Sequence, residues 1–259
     1  MLRGLKALHH AEIEATDGPI GKLARFLIDA DRWAVRYLVV DAGDWWEDHE
    51  VLISPLSITQ SLTADGRIGL SLTREQIRRS PEYDRTRPFT REHETALFEH
   101  YGYPPYWTGP FLWGPLPAPV APTGLGRAPE QDERRQPVRA AVLDASHGEL
   151  GLVDSQDILG THLHATDGDI GHVEDFLAED DTWSLRYLVV DTSNWWIGKQ
   201  VLISPDWIDR FDWPDGKLHI GLDRASVKGA PEYDGTTPPS RDTEAALYRH
   251  HGRPPYWVD

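Results

Sequence analysis

The sequence predicts a mainly β fold: two tandem small antiparallel β-barrels, each followed by short helices, packed as an internal pseudo-two-fold pair. Three observations predict it. The chain of 259 residues repeats itself without a gap at an offset of 150. Within each copy, about five or six short runs rich in β-branched and aromatic residues alternate with tight-turn signals. Behind them come segments with helix-capping signatures. In the repeat, Thr16-Asp17-Gly18 returns as Thr166-Asp167-Gly168, and Arg36 to Asp41 returns as Arg186 to Asp191. Val51 to Pro55 becomes Val201 to Pro205, Pro81 to Asp84 becomes Pro231 to Asp234, and Pro104 to Trp107 becomes Pro254 to Trp257. A module of about a hundred residues has the usual size of a domain. The expected organisation is therefore a first module over 1–107, a proline-rich linker over 108–150 and a second module over 151–259.

Each module opens on an Asp-Gly turn, Thr16 to Gly21 or Thr166 to Gly171, between extended segments. The next strand carries Leu23, Phe26, Leu27 and Ile28, copied as Val173, Phe176, Leu177 and Ala178. After a polar reversal (Asp29 to Arg32, Glu179 to Thr182) comes the most apolar run, Val35 to Val40 and Leu185 to Val190. Its β-branched composition predicts a strand buried on both faces. Val51 to Ile53 and Val201 to Ile203 are short strands ended by Ser-Pro. Asp65-Gly66 and Asp215-Gly216 turn the chain into Ile68 to Leu72 and Leu218 to Leu222, which alternate as half-buried strands do.

Thr73 and Gln76 have capping-box spacing, with Asp223 the equivalent N-cap. A second helix starts after Thr90 and Ser240, with acids in its first turn, apolar positions at Leu97, Phe98, Leu247 and Tyr248, and stops at Gly102 and Gly252. The Pro-Pro-Tyr-Trp that follows is held extended by its prolines. Residues 108–150 have no copy; Phe111, Leu112 and Trp113 are expected to pack down before a semi-rigid, proline-rich spacer.

Composition removes several function classes. A net charge of -16 with no Lys/Arg cluster argues against a nucleic-acid surface, and against adhesion to anionic lipid. Without cysteine there are no disulfides, catalytic thiolates or cysteine zinc sites. The N-terminus is too short and charged for a signal peptide, and no apolar run approaches the roughly 20 residues of a membrane span. A cytoplasmic location is expected. No nucleophile elbow, phosphate loop or dinucleotide fingerprint appears, so no catalytic residue, metal or cofactor is assigned.

In order, each copy reads Asp-Gly-x-Ile-Gly, Phe-Leu, Arg-Tyr-Leu-Val-Val-Asp, Val-Leu-Ile-Ser-Pro, a last strand and Pro-Glu-Tyr-Asp. This order resembles the PRC-barrel family over about residues 5–84 and 158–234. The resemblance places Asp157-Ile158-Leu159-Gly160 in the family's first strand. It implies a small, highly bent antiparallel barrel, the domain found in the cytoplasmic part of the photosynthetic reaction-centre H subunit and at the C-terminus of a ribosome-maturation factor that binds a ribosomal protein. The chain is expected to lack the anchor of the former and the RNA-associated domain of the latter. What the resemblance implies is docking on other proteins; it transfers no functional residue.

The candidate binding residues are Trp45, Trp46, Trp195, Trp196, Tyr106, Trp107, Tyr256 and Trp257. Tryptophan is enriched at binding hot spots, and neighbours on an extended chain face opposite ways, so one of each Trp pair can be core and the other exposed. Packing across the 41–51 connection is the competing role. The two Pro-Pro-Tyr-Trp runs are either structural clasps or proline-motif ligands. His162 and His164 have the period-two spacing of a shared metal site or of a polar strand face. Arg36 with Asp41, and Arg186 with Asp191, suit ion pairs at the ends of the central strand, and Asp17 and Asp167 suit turns. The function expected is a non-enzymatic protein-binding, assembly or scaffold module with an unidentified protein partner, monomeric as an internal pseudodimer, with a homo-oligomer as the alternative state. The alternatives are a small-molecule or metal-binding protein using the inter-module groove, and a peripheral component of a photosynthetic or electron-transfer complex.

Overall fold

The computed structural model describes residues 1–43, 46, 49–60, 66–87, 89–120, 151–192, 199–212 and 215–258. The fold is mainly β, with two sheets. The first half supplies β1 (Leu2–Gly4), β2 (Glu12–Ala15), β3 (Gly18–Asp29), β4 (Ala34–Asp41), β5 (Glu50–Ile53), β6 (Ile58–Gln60) and β7 (Arg67–Leu70), then α1 (Arg74–Arg78) and α2 (Arg91–Tyr101). The second supplies β8 (Leu152–Asp154), α3 (Ser155–Ile158), β9 (His162–Ala165), β10 (Gly168–Glu179), β11 (Leu185–Asp191), β12 (Gln200–Ile203), β13 (Ile208–Asp212) and β14 (Lys217–Ile220), then α4 (Arg224–Gly229) and α5 (Arg241–His250). The strand orders correspond one for one: β5-β4-β3-β2-β7-β6 and β12-β11-β10-β9-β14-β13.

Two expectations change. The sheets are not purely antiparallel, because β2 pairs with β7, and β9 with β14, in parallel. Nor do they close: among the described residues no ladder joins the end strands β5 and β6, or β12 and β13. After β5 the chain turns through Pro55–Ser57, where Ser54 accepts from the Leu56 N–H and the Ser57 N–H bonds locally to Ser54. Pro55 brings no N–H to a ladder. Asp157 to Gly160 also departs from the strand expectation. Asp154 caps the short α3 by accepting from the Gln156 N–H, and Gly160 leaves it at φ 79°.

The glycine-bearing motif has a steric cause. β3 crosses β4 so closely at Gly21 that an added Cβ would lie 1.9 Å from the Asp41 carbonyl oxygen; at Gly171 the distance to Asp191 is 2.0 Å. Register shifts fall beside both positions, and such bulges bend a strand. This bend lets one long strand pair with β2 at its start and with β4 further on. The central β4 is buried except at Asp41, as its composition predicts. The helix caps stand where expected: Thr73 with Gln76 as a full capping box, then Asp223, Thr90 and Ser240. Asp17 and Asp167 do more than form turns, since each accepts from the first N–H of a following helix, Arg74 or Arg224.

The halves exchange their first strands. β1 pairs with β10, placing Leu2 opposite Glu179, while β8 pairs with β3, placing Leu152 opposite Asp29. The β3–β4 and β10–β11 hairpins also bond to each other, through Val35 N–H to Trp183 O (2.9 Å) and Leu185 N–H to Trp33 O (2.7 Å). Trp33 and Trp183 are both buried, with positive φ values of 48° and 58°. Backbone in that region is uncommon for bulky residues, and here both ends of the reversal are tied to the opposite sheet. Arg3–Asp180 and Arg25–Asp154 ion pairs flank the exchanged strands.

Candidate functional site

Arg36 projects from β4, where the neighbouring residues are buried, so its charge must be neutralised inside the protein. It is 0% exposed. Its Nε and Nη2 donate to Asp29 Oδ2 at 2.9 and 2.7 Å, and its Nη1 donates to the Leu112 carbonyl at 2.7 Å. The Tyr106 ring lies 3.8 Å from the guanidinium carbon and the Trp113 ring 5.1 Å. This corrects the expected pairing with Asp41, which is exposed at the strand end and accepts from the Gly43 N–H. In the second half Arg186 likewise pairs with Glu179 across its hairpin.

Behind Arg36 stands Glu94, brought inward on the face of α2 that carries Leu97 and Phe98. Its carboxylate accepts from the hydroxyls of Tyr37 and Tyr106, both at 2.7 Å, and pairs with Arg91. Burial raises the Glu94 carboxyl above the ordinary glutamate range, although both phenols and both arginines oppose that shift. Burial, reinforced by the Glu94 charge, raises the Tyr37 and Tyr106 phenols, so they remain protonated donors. The centre of this cage is closed to solvent, with Glu94 0% and Tyr106 4% exposed, and Arg91 reaches it from the surface.

The segment after the Pro-Pro-Tyr-Trp clasp closes it. Phe111 and Gly114 exchange backbone bonds in one tight turn, and Trp113 and Leu116 in the next. Gly114 is required, because a Cβ there would lie 2.3 Å from the Pro105 carbonyl oxygen and φ is +72°. Trp113 is 1% exposed and its indole N–H donates to the Thr182 carbonyl at 2.8 Å. This strap fulfils the expectation that the first part of 108–150 packs down; residues 121–150 lie outside the described residues.

The second cage has the same frame. Arg186 Nη2 donates to Glu179 Oε2 at 2.6 Å, and its guanidinium lies 4.2 Å from the Tyr256 ring. Glu244 accepts from the Tyr187 and Tyr256 hydroxyls, both at 2.9 Å, and pairs with Arg241. Burial again raises both phenols. Burial alone would raise the Glu179 carboxyl, but Arg186 outweighs it and holds it below the ordinary range. Here, however, the cage opens onto a cavity of about 380 Å³, lined by Leu2, Glu179, Pro239, Arg241, Glu244 and Tyr256.

The expected aromatic positions divide unevenly. Trp46 is half-buried and stacks on His49, with ring centroids 4.3 Å apart and planes 10° apart. Trp45, Trp195 and Trp196 lie outside the described residues. Tyr106 is interior, and Trp107 packs on Phe98 beneath the Arg91 guanidinium. Tyr256 is half-buried at the cavity, and Trp257 sits between Tyr248 and Arg241. Both Pro-Pro-Tyr-Trp runs thus fold onto their own helices as clasps. Sequence reasoning missed Asp29, Glu94, Glu179, Glu244 and Trp113 as cage members. A usable signal existed: an acid seven residues before the arginine recurs in both copies.

His162 and His164 do not converge. His164 Nδ1 meets Asp169 Oδ1 at 2.6 Å and its ring faces His219, whereas His162 lies opposite His172 and Lys217 in the ladders. Among the described residues no three metal-ligating side chains come together, and no helix is long and apolar enough to cross a membrane. No protein-family model matches the chain, and no curated protein matches it.

Proposed function

We propose that the chain is a non-enzymatic, cytoplasmic protein-docking module built from two PRC-barrel-like units related by an approximate two-fold axis. The ordered motifs, the matching strand orders and the reciprocal strand exchange support the paired architecture. Exchanged strands make each sheet incomplete without the other half, which suits a rigid platform. One observation carries the docking role: the first cage is covered by the chain's own strap, while its counterpart opens onto a cavity. Aromatic and arginine side chains around a partly desolvated pocket are the composition of binding hot spots.

A photo-activatable residue at position 239, compared with one at position 89, tests the proposal in native cells. A discrete adduct with another protein at 239, and none at 89, is expected. No adduct at 239, or turnover of a small molecule by the purified chain, overturns it.

A further inference from the structure

We propose that the outer face of β9 and β14 is a proton-operated clasp: the bond between Arg210 and His219 holds only while His219 is neutral, and its protonation loosens the parallel β9–β14 seam while the β2–β7 seam of the first sheet stays closed. This device does not depend on the docking role. Burial alternates along both strands, so Leu163, Leu218 and Ile220 point inward and His162, His164, Lys217 and His219 share the outer face. The parallel register sets His219 beside His164 and Lys217 beside His162. The His164 and His219 rings meet edge to face, with centroids 5.0 Å apart.

The two imidazoles are bonded in opposite senses. His164 Nδ1 lies 2.6 Å from the Asp169 carboxylate and donates to it, which an imidazole can do in either protonation state. His219 Nε2 lies 3.2 Å from Arg210 Nη2. A guanidinium has donors only, so His219 must accept, and only the neutral ring has the lone pair to do so. A proton on Nε2 sets donor against donor and adds a positive charge among Arg210, His164 and Lys217. Arg210 has a second acceptor on its own strand, Asp212 at 3.5 Å, so losing His219 frees it from β14. Burial lowers the His219 imidazole below the ordinary histidine range; Arg210, His164 and Lys217 add to this and Asp212 opposes it. Asp169, facing from β10, is already engaged by His164 and by Lys217 at 3.4 Å, and the His164 bond holds its carboxyl below the ordinary range. The folded chain therefore favours neutral His219. That stabilisation is complete above the ordinary histidine value and is lost as pH falls through the lower folded value. In the first half Glu12, Glu14, Arg67 and Gly69 stand in these places. Arg67 crosses that seam to Glu12 at 3.2 Å and Glu14 at 3.5 Å, with no histidine to titrate.

The test is amide hydrogen exchange of the full chain at about pH 7.5 and about pH 5, corrected for the intrinsic pH dependence of exchange. Protection of β9 and β14 is expected to fall by about threefold or more at the lower pH, and that of β2 and β7 to stay unchanged. His219→Gln keeps an acceptor for Arg210 and cannot titrate, so it is expected to retain the protection at both pH values. A loss that persists in His219→Gln, or an equal loss in both sheets, overturns the inference. If that variant does not fold, a nuclear magnetic resonance titration of the unaltered chain decides. The His219 ring is expected to titrate below the ordinary histidine value, at the same midpoint as the loss of β14 protection. A midpoint at or above the ordinary value, or a loss that does not follow it, overturns the inference. His251→Tyr is expected to leave the β9–β14 loss in place; if it removes that loss, the sensor is His251 and the inference falls.

Discussion

Arg36 and Arg186 occupy matching strands of two sheets with corresponding strand orders, but they are finished differently. Around Arg36 each of the three guanidinium nitrogens donates a hydrogen bond, two rings cover the guanidinium, and a strap of the same chain closes the face. Around Arg186 the acid, the helix glutamate and one ring are kept, and the cover is replaced by a cavity. The groups that orient the arginine match in the two halves, and the groups that shield it differ. Burying a charged pair is strongly favourable only when the geometry is complete. The closed pair around Arg36 is therefore expected to contribute more to stability than the partly hydrated pair around Arg186.

The largest expected effect tests that asymmetry directly. Arg36→Ala strands the Asp29 carboxylate in the interior and is expected to cost about 3–5 kcal/mol in urea unfolding. Arg186→Ala is expected to cost about 2 kcal/mol, because its pair is partly hydrated. Equal losses would break the comparison. Next, Trp113→Ala removes a buried indole and its hydrogen bond, with an expected loss of about 3 kcal/mol. Gly114→Ala strains the same strap and is expected to cost more than about 1 kcal/mol.

A pH titration sharpens the contrast further. His251, at the position where the first half has Tyr101, is pushed down to about 4, chiefly by burial, with His250 and Arg253 adding to it. The folded chain therefore prefers the neutral ring. Its contribution is present above the ordinary histidine range and is lost as pH falls through the folded value. His251→Tyr is expected to remove about 1 kcal/mol of that acid-side loss after solvent screening, measured as unfolding midpoints between pH 7 and 4. The smallest effects should be symmetric. Thr90→Ala and Ser240→Ala each delete an N-cap bond and are expected to cost about 0.5–1 kcal/mol alike.

Much of the frame was legible because it depends on short-range rules. The Asp-Gly turns at Asp17 and Asp167, the buried β4 run, the Ser-Pro strand ends and the four helix caps named from spacing appear where their residues place them, and Asp65 lies outside the described residues. Glu94 was not legible, since an acid on an exposed-looking first turn is ordinarily read as a dipole partner. Only the fold shows that this face of α2 turns toward Tyr37. Arg36 was assigned the wrong acid for a related reason: Asp41 is nearer in sequence, but the hairpin brings Asp29 to the same side.

The turns, the caps and the apolar strands could be read from the residues alone, because propensity, capping and period-two patterning act over a few positions. The tertiary structure alone decided that β1 and β8 change places, that the sheets remain open, and that one cage is covered while the other faces a cavity. These outcomes depend on contacts between residues as far apart as Leu2 and Glu179, whose energies arise only once burial has removed water from both.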